Sequence, residues 1–168
     1  MDVKQTDLAW LAGFLDGEGT IGISRTNHKN QKTPYLRPLV QAPNTDRRAI
    51  DEMVRIIELV TGKKPSVCEC NKGNENWSKA WRVKVSTQWE LLLLIPAIIP
   101  YLILKKRQAE LSLEFCKRKY ARSTKHWYQD KDLDEAGYME CLALNARGKK
   151  QREVAKEFLT QLKLVSEN

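Results

Sequence analysis

Hydrophobic and polar positions change their spacing several times along the chain, and the first stretch has the spacing of a helix. Apolar residues dominate its centre, and the small residues Ala9, Gly13 and Gly17 recur at every fourth position. Either Thr6 or Asp7 could cap the start of this helix. Glycine inside a helix costs about 1 kcal/mol relative to alanine. A stripe that includes Gly13 therefore predicts that a second helix packs closely against this one.

Downstream, apolar and polar residues alternate, which is the pattern of strands with one buried face. Two pairs of such strands are each followed by a helix. The first of these helices begins after Asp46 and closes at Gly62, and the second begins at Thr87, which has capping-box spacing with Glu90. The order αββαββα predicts an α+β fold in which helices back a twisted antiparallel four-stranded sheet. The predicted strands cover residues 20–26, 35–41 with a break near Pro43, 66–71 and 81–86.

The last part of the chain has helical spacing again, at residues 132–145 and 151–164. A chain of 168 residues suits one domain with its own core, and no internal repeat is visible. We therefore expect a single domain over residues 1–168, with a core at about 5–120. The C-terminal helical extension, at about 121–168, would brace that core.

The charge balance indicates a phosphate-bearing partner. The chain has 29 Lys and Arg residues against 21 Asp and Glu residues, a formal net charge of +8 and a pI of about 9.4. Such a positive field suits nucleic acid. The N-terminus lacks the pattern of a signal peptide, and the longest apolar run, at residues 91–99, is too short to cross a membrane. We expect an intracellular protein with no membrane partner, whose four cysteines are free thiols because they lack the spacing of a zinc site.

The most informative segment, LAGFLDGEG at residues 11–19, joins the small-residue stripe to an acidic cluster. The glycines are expected to end the helix because glycine tolerates left-handed geometry. The carboxylates of Asp16 and Glu18, together with bare backbone carbonyls, would lie at that helix end. Hard cations such as Mg²⁺ prefer these oxygen ligands. An ordinary amphipathic helix with a glycine-rich end is the competing interpretation.

This segment resembles the signature of the LAGLIDADG homing endonucleases, which are often intron-encoded, and departs from it where Glu18 replaces the commoner aspartate. One signature per chain implies a homodimer whose two motif helices meet at a two-fold axis. The resemblance implies a divalent metal held by Glu18 and Gly17, with Mg²⁺ or Mn²⁺ supporting cleavage and Ca²⁺ binding without cleavage. The implied dimer interface consists of Ala9, Ala12, Gly13, Asp16 and Gly17.

The resemblance also implies a reaction, namely a site-specific, metal-dependent double-strand break in a long near-palindromic DNA site, leaving short 3′ overhangs. It requires no side-chain nucleophile. Three further catalytic residues carry over from the family. Lys105 matches a lysine at the start of a later helix, and Arg47 matches a basic residue near the scissile phosphate. Asn44 stands where relatives position water.

Alternation on the predicted strands divides the sheet into an apolar face, represented by Val83 and Val85, and a polar face. A polar ribbon fits the DNA major groove, where arginine reads guanine, asparagine reads adenine and glutamate accepts from cytosine. A merely solvated face is the competing interpretation for each residue. The candidate DNA-binding residues are Ser24, Thr26, His28, Arg37, Gln41, Glu69, Asn71, Arg82 and Lys84.

Two other functions fit the same fold. One is an RNA maturase that assists splicing of its own intron, with intron RNA as the partner, although the retained Glu18 and Lys105 argue against a pure maturase. The other is a catalytically inactive DNA-binding regulator, which would bind a near-palindrome without cutting it. Affinity for a structured intron compared with duplex DNA at matched salt distinguishes the RNA-binding alternative.

Overall fold

The computed structural model describes residues 2–26, 35–70, 78–121 and 131–146, together with the single positions Glu153, Glu157 and Thr160. The elements follow the predicted αββαββα order and confirm the α+β class, and in the described ranges up to residue 146 two more helices follow this core. The helices are α1 (Gln5–Glu18), α2 (Arg47–Thr61), α3 (Gln88–Ile98), a 3₁₀ turn (Ile99–Tyr101), α4 (Lys106–Ala121) and α5 (Lys131–Asn145). The strands are β1 (Thr20–Thr26), β2 (Tyr35–Asn44), β3 (Ser66–Cys70) and β4 (Ala80–Val85).

The four strands form one antiparallel sheet in the order β1-β2-β4-β3. Val40 lies opposite Ile21 on one side and Val85 on the other, so these side chains share one face. That helical face is buried against apolar residues of α1, α2 and α3, and it forms the core. The opposite face, which we call the outer face, carries Gln41 and Lys84 as neighbours.

Strand β2 does not break near Pro43 as the sequence suggested. It runs to Asn44 because Pro43 pairs only with β4, while the pairing of β2 with β1 ends at Gln41. Pro38 is the converse case, since it pairs with β1 and the pairing with β4 starts at Val40. Each proline therefore has a strand on one side only, where a missing N–H group is tolerated.

Helix α1 begins earlier than predicted, at Gln5 after Lys4, so neither Thr6 nor Asp7 is its N-cap. Asp7 instead lies in the first turn, where its carboxylate is 3.0 Å from the Arg55 guanidinium of α2. The hydrogen bond from Arg55 lowers the pKa of Asp7. This ion pair joins the start of α1 to α2.

Helices α2 and α3 differ in how their first turns are capped. Helix α2 begins after Asp46 and closes at Gly62 (φ 71°), as predicted, and Asp46 is its N-cap, accepting a hydrogen bond of 2.9 Å from the Arg48 backbone N–H. Hydrogen bonds from Arg48 lower the pKa of Asp46 to about 2. The capping box at α3 does not form. Thr87 precedes the helix without a side-chain cap, and Glu90 is buried with its carboxylate 2.8 Å from Lys63 Nζ.

Helix α5 matches the predicted helix at residues 132–145 and packs along β1, the edge strand. The Asn145 amide donates a hydrogen bond of 3.0 Å to the Ile21 carbonyl, and Arg25 pairs with Glu135. Covering an edge strand protects its free backbone groups from pairing with other chains. In the second predicted helix, at 151–164, the described positions Glu153, Glu157 and Thr160 are helical.

Two of the cysteines lie in the interior. Cys116 and Cys141 are buried, and burial raises the pKa of Cys116 to about 12 and that of Cys141 to about 11. Both thiols are therefore neutral at physiological pH. Among the described residues, the helices are all too short or too polar to cross a lipid bilayer.

Candidate functional site

Five elements start or end at the same end of the sheet. Strand β1 begins at Thr20, directly after α1, and Thr20 pairs with Gln41 near the end of β2. Asn44 ends β2 opposite Trp81, close to the start of β4. Helix α2 starts just beyond it at Arg47. The fold therefore gathers the last turn of α1, Asn44 and Arg47 at one end of the sheet.

Glu18 is the last residue of α1, and both it and Gly17 are exposed. The chain leaves the helix through Gly19 in an extended conformation (φ −83°, ψ 173°), so the expected left-handed geometry is wrong for this glycine. A glycine is required here because there is no room for a side chain. A Cβ atom at this position would lie 2.7 Å from the Leu15 carbonyl oxygen and 2.8 Å from Leu15 Cα. This close approach carries the chain directly from Glu18 into β1.

Lys105 lies at the same helix end, although it is distant in sequence. Its Nζ donates a hydrogen bond of 2.8 Å to the Leu15 carbonyl and a second, shorter one to the Asp16 carbonyl. The C-terminal carbonyls of a helix carry partial negative charge, which favours a cation there. Lys105, a catalytic candidate from the family resemblance, therefore contacts the last turn of α1 directly.

Asp16 has a role that the sequence analysis missed. Its Oδ2 accepts hydrogen bonds from the backbone N–H groups of Ile103 (2.7 Å) and Leu104 (3.1 Å), and its Oδ1 accepts one from Lys105 (2.9 Å). The carboxylate therefore fixes the turn that precedes α4. These partners are 87–89 residues away along the chain, beyond the reach of any local sequence pattern.

Asn44 and Arg47 are held by nearby groups. The Asn44 side-chain oxygen accepts a hydrogen bond of 2.7 Å from the Asp46 N–H, forming a tight turn before α2. Arg47 Nε lies 2.9 Å from Asp51 Oδ1, and its guanidinium carbon is 5.6 Å from the centre of the Trp81 ring. Trp81 was absent from the predicted site, and the Arg47 guanidinium lies over its ring.

The expected dimer-interface residues divide into two groups. Ala9, Gly13 and Gly17 are exposed, and a Cβ added at either glycine would meet nothing within 4 Å. Ala12, in contrast, is fully buried in the core of its own chain, so it is not on a surface that a partner could contact. The Asp16 carboxylate is likewise engaged within the chain, as described above. The exposed stripe therefore consists of the three small residues at every fourth position.

Two exposed apolar side chains lie beside the end of this stripe. Ile103 and Leu104 are 84% and 72% exposed, and their N–H groups are the ones that Asp16 binds. Large apolar side chains at such exposure beside a stripe of small residues are typical of a contact surface. Their position next to α1 depends on the tertiary fold, so no local sequence pattern indicates them.

The outer face of the sheet carries most of the described candidates for DNA contact. Ser24 lies opposite Arg37, and Gln41 lies opposite Lys84. Thr26 and Arg82 share this face by alternation. His28 and Asn71 lie outside the described residues.

Glu69 lies on the opposite face, so its predicted place on the polar face is wrong. It pairs with Trp81 and lies two residues after Val67, so both side chains are on the same side of β3. Val67 lies opposite Val83 on the helical face. Its carboxylate is 3.2 Å from Lys79 Nζ. The residues of β3 on the outer face are Ser66, Cys68 and Cys70.

No family model and no curated protein matches the sequence, but solved structures match the fold. The homing endonuclease I-CvuI, in complex with the I-CreI target, is 24% identical with a TM-score of 0.59, over 94% of this chain and 95% of that one. The archaeal intron-encoded homing endonuclease I-Vdi141I, complexed with DNA, is 17% identical with a TM-score of 0.64, over 85% and 86% of the two chains. The present chain has the fold of the LAGLIDADG homing endonucleases.

A longer protein with the LAGLIDADG fold shows how this chain compares in size. The LAGLIDADG homing endonuclease I-LtrWI, bound to its target DNA, is 17% identical with a TM-score of 0.60. The alignment covers 92% of the present chain and 49% of I-LtrWI. The present chain thus spans nearly all of an I-CvuI chain and about half of an I-LtrWI chain.

Proposed function

We propose that the chain is a homodimeric LAGLIDADG endonuclease that makes a site-specific double-strand break in a long near-palindromic DNA site, leaving short 3′ overhangs. The observation that carries the proposal is the arrangement at the end of α1. There the exposed Glu18 follows a surface stripe of small residues, and Lys105 binds the carbonyls of the same helical turn. The fold and the signature segment support the same conclusion.

Dimerisation would occur through α1. The backbone is accessible at Gly13 and Gly17, so a second copy of the helix could approach closely, and Ile103 and Leu104 would be covered at its side. A two-fold axis through this surface brings the two Glu18 residues together. The match to about half of I-LtrWI supports a requirement for two such units.

Gly13→Leu is expected to separate folding from dimerisation. A Cβ atom at this position would meet nothing within 4 Å in one chain, and leucine is a better helix former than glycine, so monomer stability should rise by up to about 1 kcal/mol. The added side chain should block the approach of the second helix. Sedimentation velocity should show a dimer for the wild-type protein and a monomer for Gly13→Leu, with Lys117→Leu, at an exposed position of α4, as the control. A dimeric Gly13→Leu protein would exclude α1 as the interface.

A divalent metal fits the chemistry of the α1 end but needs both copies. Among the described residues, one chain offers no group of three His, Cys, Asp or Glu side chains that could hold a metal. Glu18 contributes one carboxylate and Gly17 a backbone carbonyl, both oxygen donors suited to Mg²⁺ or Mn²⁺. Two copies supply two carboxylates. We infer that Ca²⁺ binds the same oxygens without supporting cleavage. The I-CvuI structures were obtained in the presence of Mg, with the DNA not cleaved, and in the presence of Ca.

The remaining residues would shape the charge around the scissile phosphate. When bound, the metal would activate water and stabilise the leaving oxygen. The Lys105 ammonium, fixed at the end of α1, would offset negative charge that develops at phosphorus. Arg47, kept in place by Asp51 and Trp81, would add positive charge at the same end of the sheet, and Asn44 would orient water there.

The proposed activity is tested with a plasmid library that carries randomised near-palindromic sites. The purified protein is incubated with the library and Mg²⁺, and any linear molecules are recovered and sequenced at their ends. One recurring site with short 3′ overhangs is the expected result. Tight binding to one duplex without cutting would contradict the proposal and favour a DNA-binding regulator. Tighter binding to a structured intron than to duplex DNA at matched salt would favour the maturase.

Replacing Arg82 and Lys84 together with alanine should weaken binding to the recovered DNA site. Both residues lie on the outer face, where contacts to phosphates and bases would be lost. We expect affinity to fall about 10- to 100-fold and its salt dependence to flatten, as measured by fluorescence anisotropy across a salt series. Glu69→Ala, on the helical face of the adjacent strand, is the control and should change affinity less than about twofold. Equal effects of the two changes would show that the outer face does not contact DNA.

A further inference from the structure

We infer that Asp16 is a positioning residue for Lys105, an inference that rests on the proposed function. The three hydrogen bonds to its carboxylate come from consecutive backbone N–H groups, at Ile103, Leu104 and Lys105. Together they fix the turn that leads into α4. The side chain of Lys105 leaves this turn and reaches back to the carbonyls of Leu15 and Asp16. Asp16 of α1 therefore accepts hydrogen bonds from the turn, and Lys105 of the turn donates hydrogen bonds to α1, so both residues join the same two segments.

The two sets of contacts depend on each other through the backbone. If the turn moves away from α1, the Lys105 ammonium cannot keep its hydrogen bond of 2.8 Å to the Leu15 carbonyl. The side chains of Ile103 and Leu104 do little to hold the turn in place, because they are largely exposed. A carboxylate that accepts three backbone N–H groups is a rigid anchor, since hydrogen bonds to an ionised acceptor are stronger than neutral ones. Asp16 thus determines where the ammonium group lies relative to Glu18.

Asp16→Asn is the most informative substitution because it keeps the size of the side chain while removing one acceptor. The single amide oxygen can take the place of either Oδ2 or Oδ1, and the amide NH₂ group would then face a backbone N–H. At least one of the three hydrogen bonds is lost. Asp16→Glu provides a second variant that retains both oxygen acceptors but adds a methylene group, which shifts the turn.

The test measures binding and cleavage separately on the DNA site recovered from the library. Under single-turnover conditions with Mg²⁺, we expect Asp16→Asn to cut about 10- to 100-fold more slowly than the wild-type protein. Its affinity for DNA should change less than about threefold. Asp16→Glu should be intermediate. Asp132→Asn, an exposed carboxylate in the first turn of α5, removes the same charge and should cut at the wild-type rate.

Combination with Lys105→Met distinguishes positioning from general support of the fold. If Asp16 acts through Lys105, adding Asp16→Asn to Lys105→Met should slow cleavage less than about threefold further. If the double variant instead showed the full product of the two single rate reductions, the inference would be overturned. In the absence of DNA, amide hydrogen exchange at Ile103 and Leu104 should be about tenfold faster in Asp16→Asn than in the wild-type protein.

The exchange measurement also separates this inference from the proposed function. If the wild-type protein cuts no site in the library, the proposed function fails, yet faster exchange in Asp16→Asn would still support Asp16 as the anchor of the turn. Unchanged exchange would overturn the inference whether or not the protein cuts DNA. Cleavage by Asp16→Asn at the wild-type rate would overturn it as well.

Discussion

Glu18→Gln is expected to abolish double-strand cleavage while the protein remains folded, dimeric and bound to DNA. The proposed metal site draws one carboxylate from each chain, so the substitution removes both charges from the assembled site. Stabilisation of transition-state charge by a bound metal amounts to several kcal/mol, and about 1.4 kcal/mol corresponds to a factor of ten in rate. We expect single-turnover cleavage in Mg²⁺ to fall at least about 10³-fold.

The exposure of Glu18 makes this result interpretable. Because the side chain is exposed at the end of α1, its replacement should change the free energy of unfolding by less than about 0.5 kcal/mol. DNA affinity should be equal or higher, since a negative charge near the phosphates is removed. Glu58→Gln, the same chemical change at an exposed position of α2, is the control and should cut normally. Residual cleavage within about tenfold of the wild-type rate would remove Glu18 from the metal site.

Local periodicity explains why the element order could be predicted from the sequence. Helix α2 has an N-cap at Asp46, buried apolar residues at helical spacing and a left-handed Gly62, and these signals all lie within one short stretch. The signature at the end of α1 was equally local. Both could be read without knowing which distant segment packs against them.

The errors occurred where tertiary contacts determine the outcome. Pro43 remains in β2 because the pairing of β2 with β1 stops at Gln41, and Glu90 pairs with Lys63 instead of completing a capping box. The hydrogen bonds that Asp16 accepts from the turn before α4 connect residues 87–89 apart in sequence. Glu69 differs from these cases. It lies two residues after Val67 on the same strand, so the sequence alone indicates that the two side chains share the helical face.

Gly19→Ala is expected to reduce both stability and cleavage, because the backbone itself blocks a side chain at this position. The added Cβ would lie 2.7 Å from the Leu15 carbonyl oxygen and 2.8 Å from Leu15 Cα, and neither atom can rotate away. The last turn of α1 would have to shift, with the loss of about 1–3 kcal/mol of stability. Glu18 and the carbonyls that bind Lys105 belong to that turn, and a displacement of about 1 Å can slow a positioned reaction about 100-fold.

Gly13→Ala, in the middle of the same helix, separates this steric effect from the general effect of replacing a helical glycine. A Cβ at Gly13 meets nothing within 4 Å in the chain, so alanine there should raise the free energy of unfolding, by up to about 1 kcal/mol. Urea denaturation of the two variants below the dimerisation concentration should therefore shift in opposite directions. If Gly19→Ala were as stable as the wild-type protein and cut DNA normally, the last turn of α1 would have to tolerate displacement. The positions of Glu18 and Lys105 at that turn would then be unimportant for cleavage.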